Sequence, residues 1–302
     1  MSSTLVVVIC HRDRWATELL CRTMEKYLRP CDVIFVLNEK DDIAHALQEW
    51  FEGACSKFLD KFNVSFYKKH DFWSVEDENH LHELELEGWV DQQVLKIAIA
   101  NKIETEHYLV LDAKNFFVRP CYVEDIKQVS PEPTDWCSDK LNQWILTSLE
   151  TFCLEPPNAP IKLTQNTTPY KMRTQSSRDL IIYFGGVKTF FKWFSIEARK
   201  EKQLATEFFT YELFTVAKGY RNLGETKANC IGVWAHMIED DGFTQQDFVK
   251  YFIHMFRRYD VKVAGFHKRM YTMWTTKDAI FMLKRLGCVD CLPSTASPFL
   301  TK

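Results

Sequence analysis

Four short apolar runs, rich in β-branched residues and bounded by polar positions, stand out in the first third of the chain: Thr4 to Cys10 (TLVVVIC), Asp32 to Leu37 (DVIFVL), Asn63 to Tyr67 (NVSFY) and Tyr108 to Leu111 (YLVL). Runs of this kind predict strands, and the first, second and fourth read as buried on both faces. Between them apolar residues recur at helical spacing. Trp15, Leu19, Leu20, Met24 and Tyr27 predict a helix over 15–27, and a second is predicted from Asp42 to Phe51. Val90, Val94, Ile97 and Ala98 share one face of a third, from Asp91 to Ile103, with the Asp91 charge in the first turn, where it suits the helix dipole. Strands alternating with helices imply an α/β fold with a mostly parallel central sheet flanked by helices.

Beyond residue 120 the pattern is more helical. Asp139 to Phe152, Ser176 to Tyr183 (capped by Thr174 or Ser176) and Ala205 to Ala217 (ended by Gly219) predict helices; Pro156, Pro157 and Pro160 mark a loop; Val261 to Phe266 predicts a late strand. We read a single domain in two halves, an α/β half over 1–125 and a helix-rich half over 126–302.

The 302 residues suffice for a sizeable core, and 46% hydrophobic with 26% charged residues is an ordinary globular mixture. A net charge of −3 with no basic stripe argues against a nucleic-acid polymer as partner. The longest basic cluster, Arg257, Arg258, Lys262, His267, Lys268 and Arg269, reads first as a solvated face and second as a phosphate or membrane-surface patch. Most of the ten cysteines sit among apolar neighbours, as buried reduced thiols do, and the lone CxxC, Cys288 to Cys291, lacks the second pair that a zinc site needs. Leu5 to Cys10 is too short and too poorly flanked for a signal peptide, and no stretch has the apolar length of a membrane span. The expected location is cytoplasmic, with a peripheral membrane contact left open.

Ligands of parallel sheets sit beyond the carboxyl ends of the strands. The first strand runs into His11-Arg12-Asp13-Arg14, the second into Asn38 and the fourth into Asp112, so these residues should converge on one cleft. The sharpest local signal is Tyr108-Leu-Val-Leu-Asp112-Ala-Lys114-Asn115-Phe-Phe-Val-Arg-Pro120. A carboxylate at the mouth of such a sheet serves as a metal ligand, as an acceptor for a ribose or sugar hydroxyl, or as the cap of a turn.

This stretch resembles the Asp-x-Asp region of GT-A-type glycosyltransferases, in which a strand leads into Asp-x-Asp and then an apolar turn. Gly88-Trp89-Val-Asp91-Gln92-Gln93-Val-Leu-Lys96 is similar to the Gly-Trp-x-x-Gln-Gln-x-x-Lys signature of a bacterial and viral family of glycosyltransferases of unknown substrate. Thr168-Pro169-Tyr170 resembles that family's Thr-Pro segment, and Thr206-Glu207-Phe-Phe-Thr-Tyr211 its Ser-Glu-Tyr-x-x-Tyr segment. The resemblance spans roughly residues 5 to 270 and implies a GT-A-like, Rossmann-like fold. It also implies a nucleotide-sugar donor bound by the first half, and a glycan or lipid-linked acceptor facing the second.

One departure matters. The second acid of Asp-x-Asp is replaced by Lys114. Two carboxylates normally grip Mn²⁺ or Mg²⁺, which neutralises the donor diphosphate. Asp112 alone would need Asn115 or His267 beside it to hold a divalent cation; alternatively the Lys114 ammonium stands where the cation would and stabilises the leaving group directly. Both remain open at this point, as does a solvated Lys114.

The remaining roles follow from position. His11, Arg12 and Asn38 would touch base, ribose or phosphate, unless they form a surface loop. Gln92 and Gln93 would offer amides to sugar hydroxyls. Glu207 and Tyr211, at i and i+4, share a helix face; Glu207 is the first candidate for acceptor binding or general base and Asp91 the second, since an attacking hydroxyl must lose its proton. Tyr211 is counted with the donor-binding residues. Two rivals are a non-catalytic nucleotide-sugar-binding module and a nucleotidyltransferase. The latter needs a glycine-rich phosphate loop after the first strand, where His11-Arg-Asp-Arg stands instead. A phosphatase of the haloacid dehalogenase type would carry its paired Asp after the first strand, not the fourth.

Overall fold

The computed structural model describes residues 3–76, 87–127, 139–154, 168–199, 205–220, 230–233, 245–258, 260–266, 271 and 274–299. Its strands are β1 (Thr4–Ile9), β2 (Asp32–Leu37), β3 (Asn63–Lys68), β4 (His107–Asp112), β5 (Asn115–Phe117), β6 (Tyr170–Arg173), β7 (Cys230–Val233) and β8 (Val263–Phe266). A five-stranded sheet has the order β3-β2-β1-β4-β6, and a three-stranded sheet the order β5-β8-β7. In the larger sheet β1, β2, β3 and β4 are parallel and only β6 runs against its neighbour β4. The expected mostly parallel α/β sheet flanked by helices is therefore what the chain forms.

Side chains alternate across the sheet, as the twofold period of a strand requires. Leu5, Val7, Ile9, Val33, Phe35, Leu37, Leu109 and Leu111 enter one core. Helix α1 (Arg14–Tyr27) and helix α2 (Asp41–Ala54) cover that face; α3 (Ser56–Lys61) follows them. Val6, Val8, Ile34, Val36, Tyr108 and Val110 enter the other core, under α4 (Glu87–Ala98), α5 (Asp139–Thr151), α6 (Thr174–Tyr183), α7 (Val187–Arg199) and α8 (Glu207–Ala217). With both faces covered, the strands can be unbroken apolar runs.

The two halves expected on either side of residue 125 interleave. β6 comes from the second half yet extends the main sheet. Helix α9 (Gln245–Arg258), β8 and helix α10 (Thr276–Arg285) precede a tail whose Phe299 joins the α1 core together with Phe266, Trp274 and Leu283. The tail is pinned by Glu18 of α1, which is fully buried: Ser294 and Thr295 donate to its carboxylate from both their backbone N–H groups and their hydroxyls, at 2.6–3.0 Å. No helix among the described residues is long and apolar enough to cross a membrane.

Boundaries differ from expectation in informative places. Helix α4 begins at Glu87 and ends at Ala98, and Ile99–Lys102 continue it as a 3-10 turn. Asp91 is thus a full turn inside the helix, where its charge is met by a side chain rather than by the helix end. Helix α6 begins at Thr174 with Arg173 at the cap position; the Thr174 hydroxyl donates to the Thr105 carbonyl at 2.6 Å, so neither Thr174 nor Ser176 is the cap. The proline-marked loop around Pro156, Pro157 and Pro160 lies outside the described residues.

Candidate functional site

The turn after β4 decides where Asp112 sits. Asp112 pairs with Val8 of β1 in the ladder, so its side chain emerges at the carboxyl edge of the sheet. Asn115 Oδ1 accepts a 2.8 Å hydrogen bond from the Asp112 backbone N–H, closing the turn through Ala113 and Lys114 before β5 begins. The side chain of Asp112 is only 14% exposed, and both its oxygens face cations: Oδ2 lies 2.7 Å from Lys114 Nζ and Oδ1 lies 2.9 Å from Lys96 Nζ.

Lys96 is the hub. It stands on α4, is 4% exposed, and its ammonium also lies 2.9 Å from Glu207 Oε1 at the start of α8. Burial works against its charge, but Asp112 and Glu207 outweigh that and hold its pKa above the usual lysine value. Burial likewise works against the Asp112 carboxylate, and Lys114 and Lys96 overcome it, so the carboxyl group is held far below the ordinary aspartate range. The four residues form a chain, Lys114–Asp112–Lys96–Glu207, in which every charge is met by an opposite one. The α8 end is fixed a second time, because the Glu207 backbone N–H donates to Gln93 Oε1 at 3.2 Å.

The neighbouring strand ends supply more polar groups. After β3, Lys69 Nζ lies 3.5 Å from Asp91 Oδ2, and both residues are buried. After β2, the Asn38 amide donates to the Gly88 carbonyl at the start of α4 at 2.9 Å. After β1, His11 is tied to Glu39, which accepts from the His11 backbone N–H at 2.8 Å and also contacts the ring. Arg12 is exposed and Gln92 is half-buried. Cys10 also lies here, and burial and the Asp13 carboxylate push its thiol up to about 12, which disfavours the thiolate.

Among the described residues nine buried side-chain polar atoms lack a hydrogen-bond partner; Asn38 Oδ1, Asp112 Oδ1 and Thr206 Oγ1 belong to residues of this edge, while others, such as His107 Nε2 and Arg173 Nε, lie at the opposite end of β4. Asp112 Oδ1 is nevertheless in close contact with the Lys96 ammonium, at 2.9 Å. Thr206 occupies the cap position of α8 yet makes no cap bond. Buried polar atoms usually find a partner in protein or ordered water.

The structure therefore brings Asn38, Asp91, Gln93, Asp112, Lys114, Asn115 and Glu207 to one edge of the sheet, with His11, Arg12 and Gln92 on the strand end and helix turn beside them. It takes Tyr211 elsewhere. The Tyr211 hydroxyl accepts from the Arg173 backbone N–H at 2.8 Å, and Arg173 pairs with His107, at the amino-terminal end of β4. Because α8 runs back along β4, a residue one turn into it reaches the opposite end of that strand from Asp112. His267 lies outside the described residues. Lys69 and Glu39 lie at this edge without having been singled out in sequence, and Lys96 and Thr206, quoted there only as motif positions, were given no role; the available signal was Lys96 itself, one helical turn after Gln92.

The residues described around Asp112 do not make a metal cradle. Ammonium groups face both its oxygens, and among the described residues no group of three or more His, Cys, Asp or Glu side chains is placed to hold an ion. The Cys288 and Cys291 thiols, buried under α1, approach the carbonyl oxygens of Phe117 and Arg22.

Fold and site together define a mixed α/β protein with a charge-paired polar cluster at the carboxyl edge of a mostly parallel sheet. The chain belongs to the DUF6492 family, a family of unknown function, whose model matches residues 4–249. No curated protein matches it. Among solved structures, the chain is similar to the apo form of mouse xyloside xylosyltransferase 1, with a TM-score of 0.48 and 8% identity over 88% of this chain and 97% of that one.

Proposed function

We propose that this protein is a glycosyltransferase that moves a sugar from a nucleotide-sugar donor to a hydroxyl of a glycan or lipid-linked acceptor. The observation that carries the proposal is the Lys114–Asp112–Lys96–Glu207 chain, set where the ends of β1, β2 and β4 meet. The Asp-x-Asp-like strand end and the Gly-Trp-x-x-Gln-Gln-x-x-Lys stretch supply the residues of that edge, which supports the same reading.

In glycosyl transfer the bond between the anomeric carbon and the diphosphate oxygen breaks. The nucleoside diphosphate leaves with the electron pair, and the acceptor oxygen bonds to carbon as it gives up its proton. Charge develops on the diphosphate, and a fixed cation there lowers the barrier most. Lys114, the partly exposed end of the chain, is that cation in our proposal, in place of a divalent metal. Asp112, whose side chain is 14% exposed at the mouth of the sheet, accepts a hydroxyl of the donor sugar. Gln92 and Gln93 flank the sugar, and His11, Arg12 and Asn38 face the nucleoside. Glu207, which shares Lys96 with Asp112, is the carboxylate that takes the acceptor proton in this proposal, and Asp91, paired with Lys69, is the second candidate. A lipid-linked acceptor would bring the protein to a membrane surface from the cytoplasm as a peripheral visitor.

The test is a panel of uridine, guanosine and cytidine diphosphate sugars, followed for binding and for slow donor hydrolysis with chelator or with Mn²⁺. We expect binding and hydrolysis in chelator, and a loss of roughly 100-fold or more in rate for Asp112→Asn with its circular dichroism unchanged. Wild-type rates in that variant would remove Asp112 from the site. Tight binding without turnover of any donor would make the protein a binding module.

A further inference from the structure

We propose that Gly265 is a positioning residue of the site, because the absence of a side chain there leaves room for the amide that holds the Asp112 turn. This deepens the proposed function and rests on it for the link to catalysis. Gly265 lies in β8, beyond residues 4–249 that the family model matches, so the assignment also gives the carboxyl-terminal segment a part in the site.

In the small sheet Gly265 faces Asn115 directly. A Cβ built on Gly265 would stand 2.7 Å from Asn115 Nδ2, inside any real contact distance, while its next neighbour, the Lys114 carbonyl at 3.4 Å, is at an ordinary separation. Asn115 is 4% exposed, so its amide has little freedom to withdraw. The amide is a rigid plane. Pushing Nδ2 aside swings Oδ1 with it, and Oδ1 is the atom that accepts from the Asp112 N–H at 2.8 Å. β8 also fixes the next turn residue, since the Phe266 N–H donates to the Lys114 carbonyl at 3.2 Å. The backbone carrying both Asp112 and Lys114 is thus set from β8, and a misplacement of about 1 Å at a reacting centre costs roughly 100-fold in rate.

Gly265→Ala, Asn115→Ala and the double variant are compared by hydrogen exchange at the Asp112 amide and by kcat and KM for donor turnover. Gly265→Ala and Asn115→Ala should each make the Asp112 amide exchange roughly tenfold faster, leave Val110 protected, and lower kcat far more than they raise KM. In the double variant the added methyl meets no amide, so it should match Asn115→Ala in every readout. Wild-type exchange in Gly265→Ala overturns the proposal, as does a double variant with the two losses multiplied. Should Gly265→Ala fail to fold, the double variant still folds on this account, and its failure to do so is equally contrary. Faster Asp112 exchange in Gly265→Ala, with no donor turned over even by wild type, leaves the positioning role standing and removes the glycosyltransferase function.

Discussion

Lys96 reaches Asp112 from a different element and meets it under the surface, its ammonium 2.9 Å from Oδ1 and as close to Glu207 on its other side. Removing that ammonium while keeping the side-chain volume leaves two buried carboxylates beside each other with one fewer counter-charge. Breaking a buried ion pair from one side costs about 3–5 kcal/mol. Lys96→Met should therefore lower the free energy of urea unfolding by that order, whether or not a donor is present. An unchanged unfolding midpoint would show that the three charges are not coupled.

Lys114 is the cation of the proposed mechanism, and Lys114→Asp restores the second acid of Asp-x-Asp at its position. The variant should be weak in chelator and regain activity with Mn²⁺, whereas the wild-type rate should be the same in both. If the two proteins respond alike to chelator, lysine does not take the place of a metal here.

Glu207→Gln keeps the size and the contact with Lys96 but cannot take up a proton. With Glu207 as base, kcat should fall roughly 100-fold or more while the donor dissociation constant stays within a factor of a few. Equal losses in both would make Glu207 a binding residue.

Much of this was legible in the residues. The buried runs of β1, β2 and β4 could be read because both sheet faces are covered, which leaves no polar alternation to blur them. Asp112 and Glu207 could be singled out because a strand end and a helix start mark them, whereas Gln93, expected to open a helix, lies in the middle of α4. The tertiary partners were not legible. Lys96 could be read as the last position of a motif, but its partners Asp112 and Glu207 come from other elements, and Gly265 gains its meaning only opposite Asn115. β6 was missed because Tyr170-Lys-Met-Arg173 gives just two inward residues, too short a pattern to count. Tyr211 was misplaced because the i, i+4 rule fixes a helix face but not the direction in which the helix crosses the sheet.

Glu18 predicts an acid-side signature away from the site. Its burial would raise the pKa, yet the hydroxyls and backbone N–H groups of Thr295 and Ser294 lower it from 4.5 to about 2. A carboxyl group depressed in the folded chain contributes stability above its unfolded pKa and loses it as pH falls through the folded one. Between about pH 4.5 and 2 this residue should account for a loss of about 3 kcal/mol. Urea titrations across that range should show a shallower decline for Glu18→Gln than for wild type; parallel curves would mean that the tail is not held by the ionised acid.

The most direct measurement is a structure of the protein with a nucleoside diphosphate bound. We expect the diphosphate against Lys114, with Asp112 beside the vacant sugar position and the nucleoside over the ends of β1 and β2. A diphosphate seated away from the carboxyl edge of the sheet, with Lys114 and Asp112 untouched, would contradict the account.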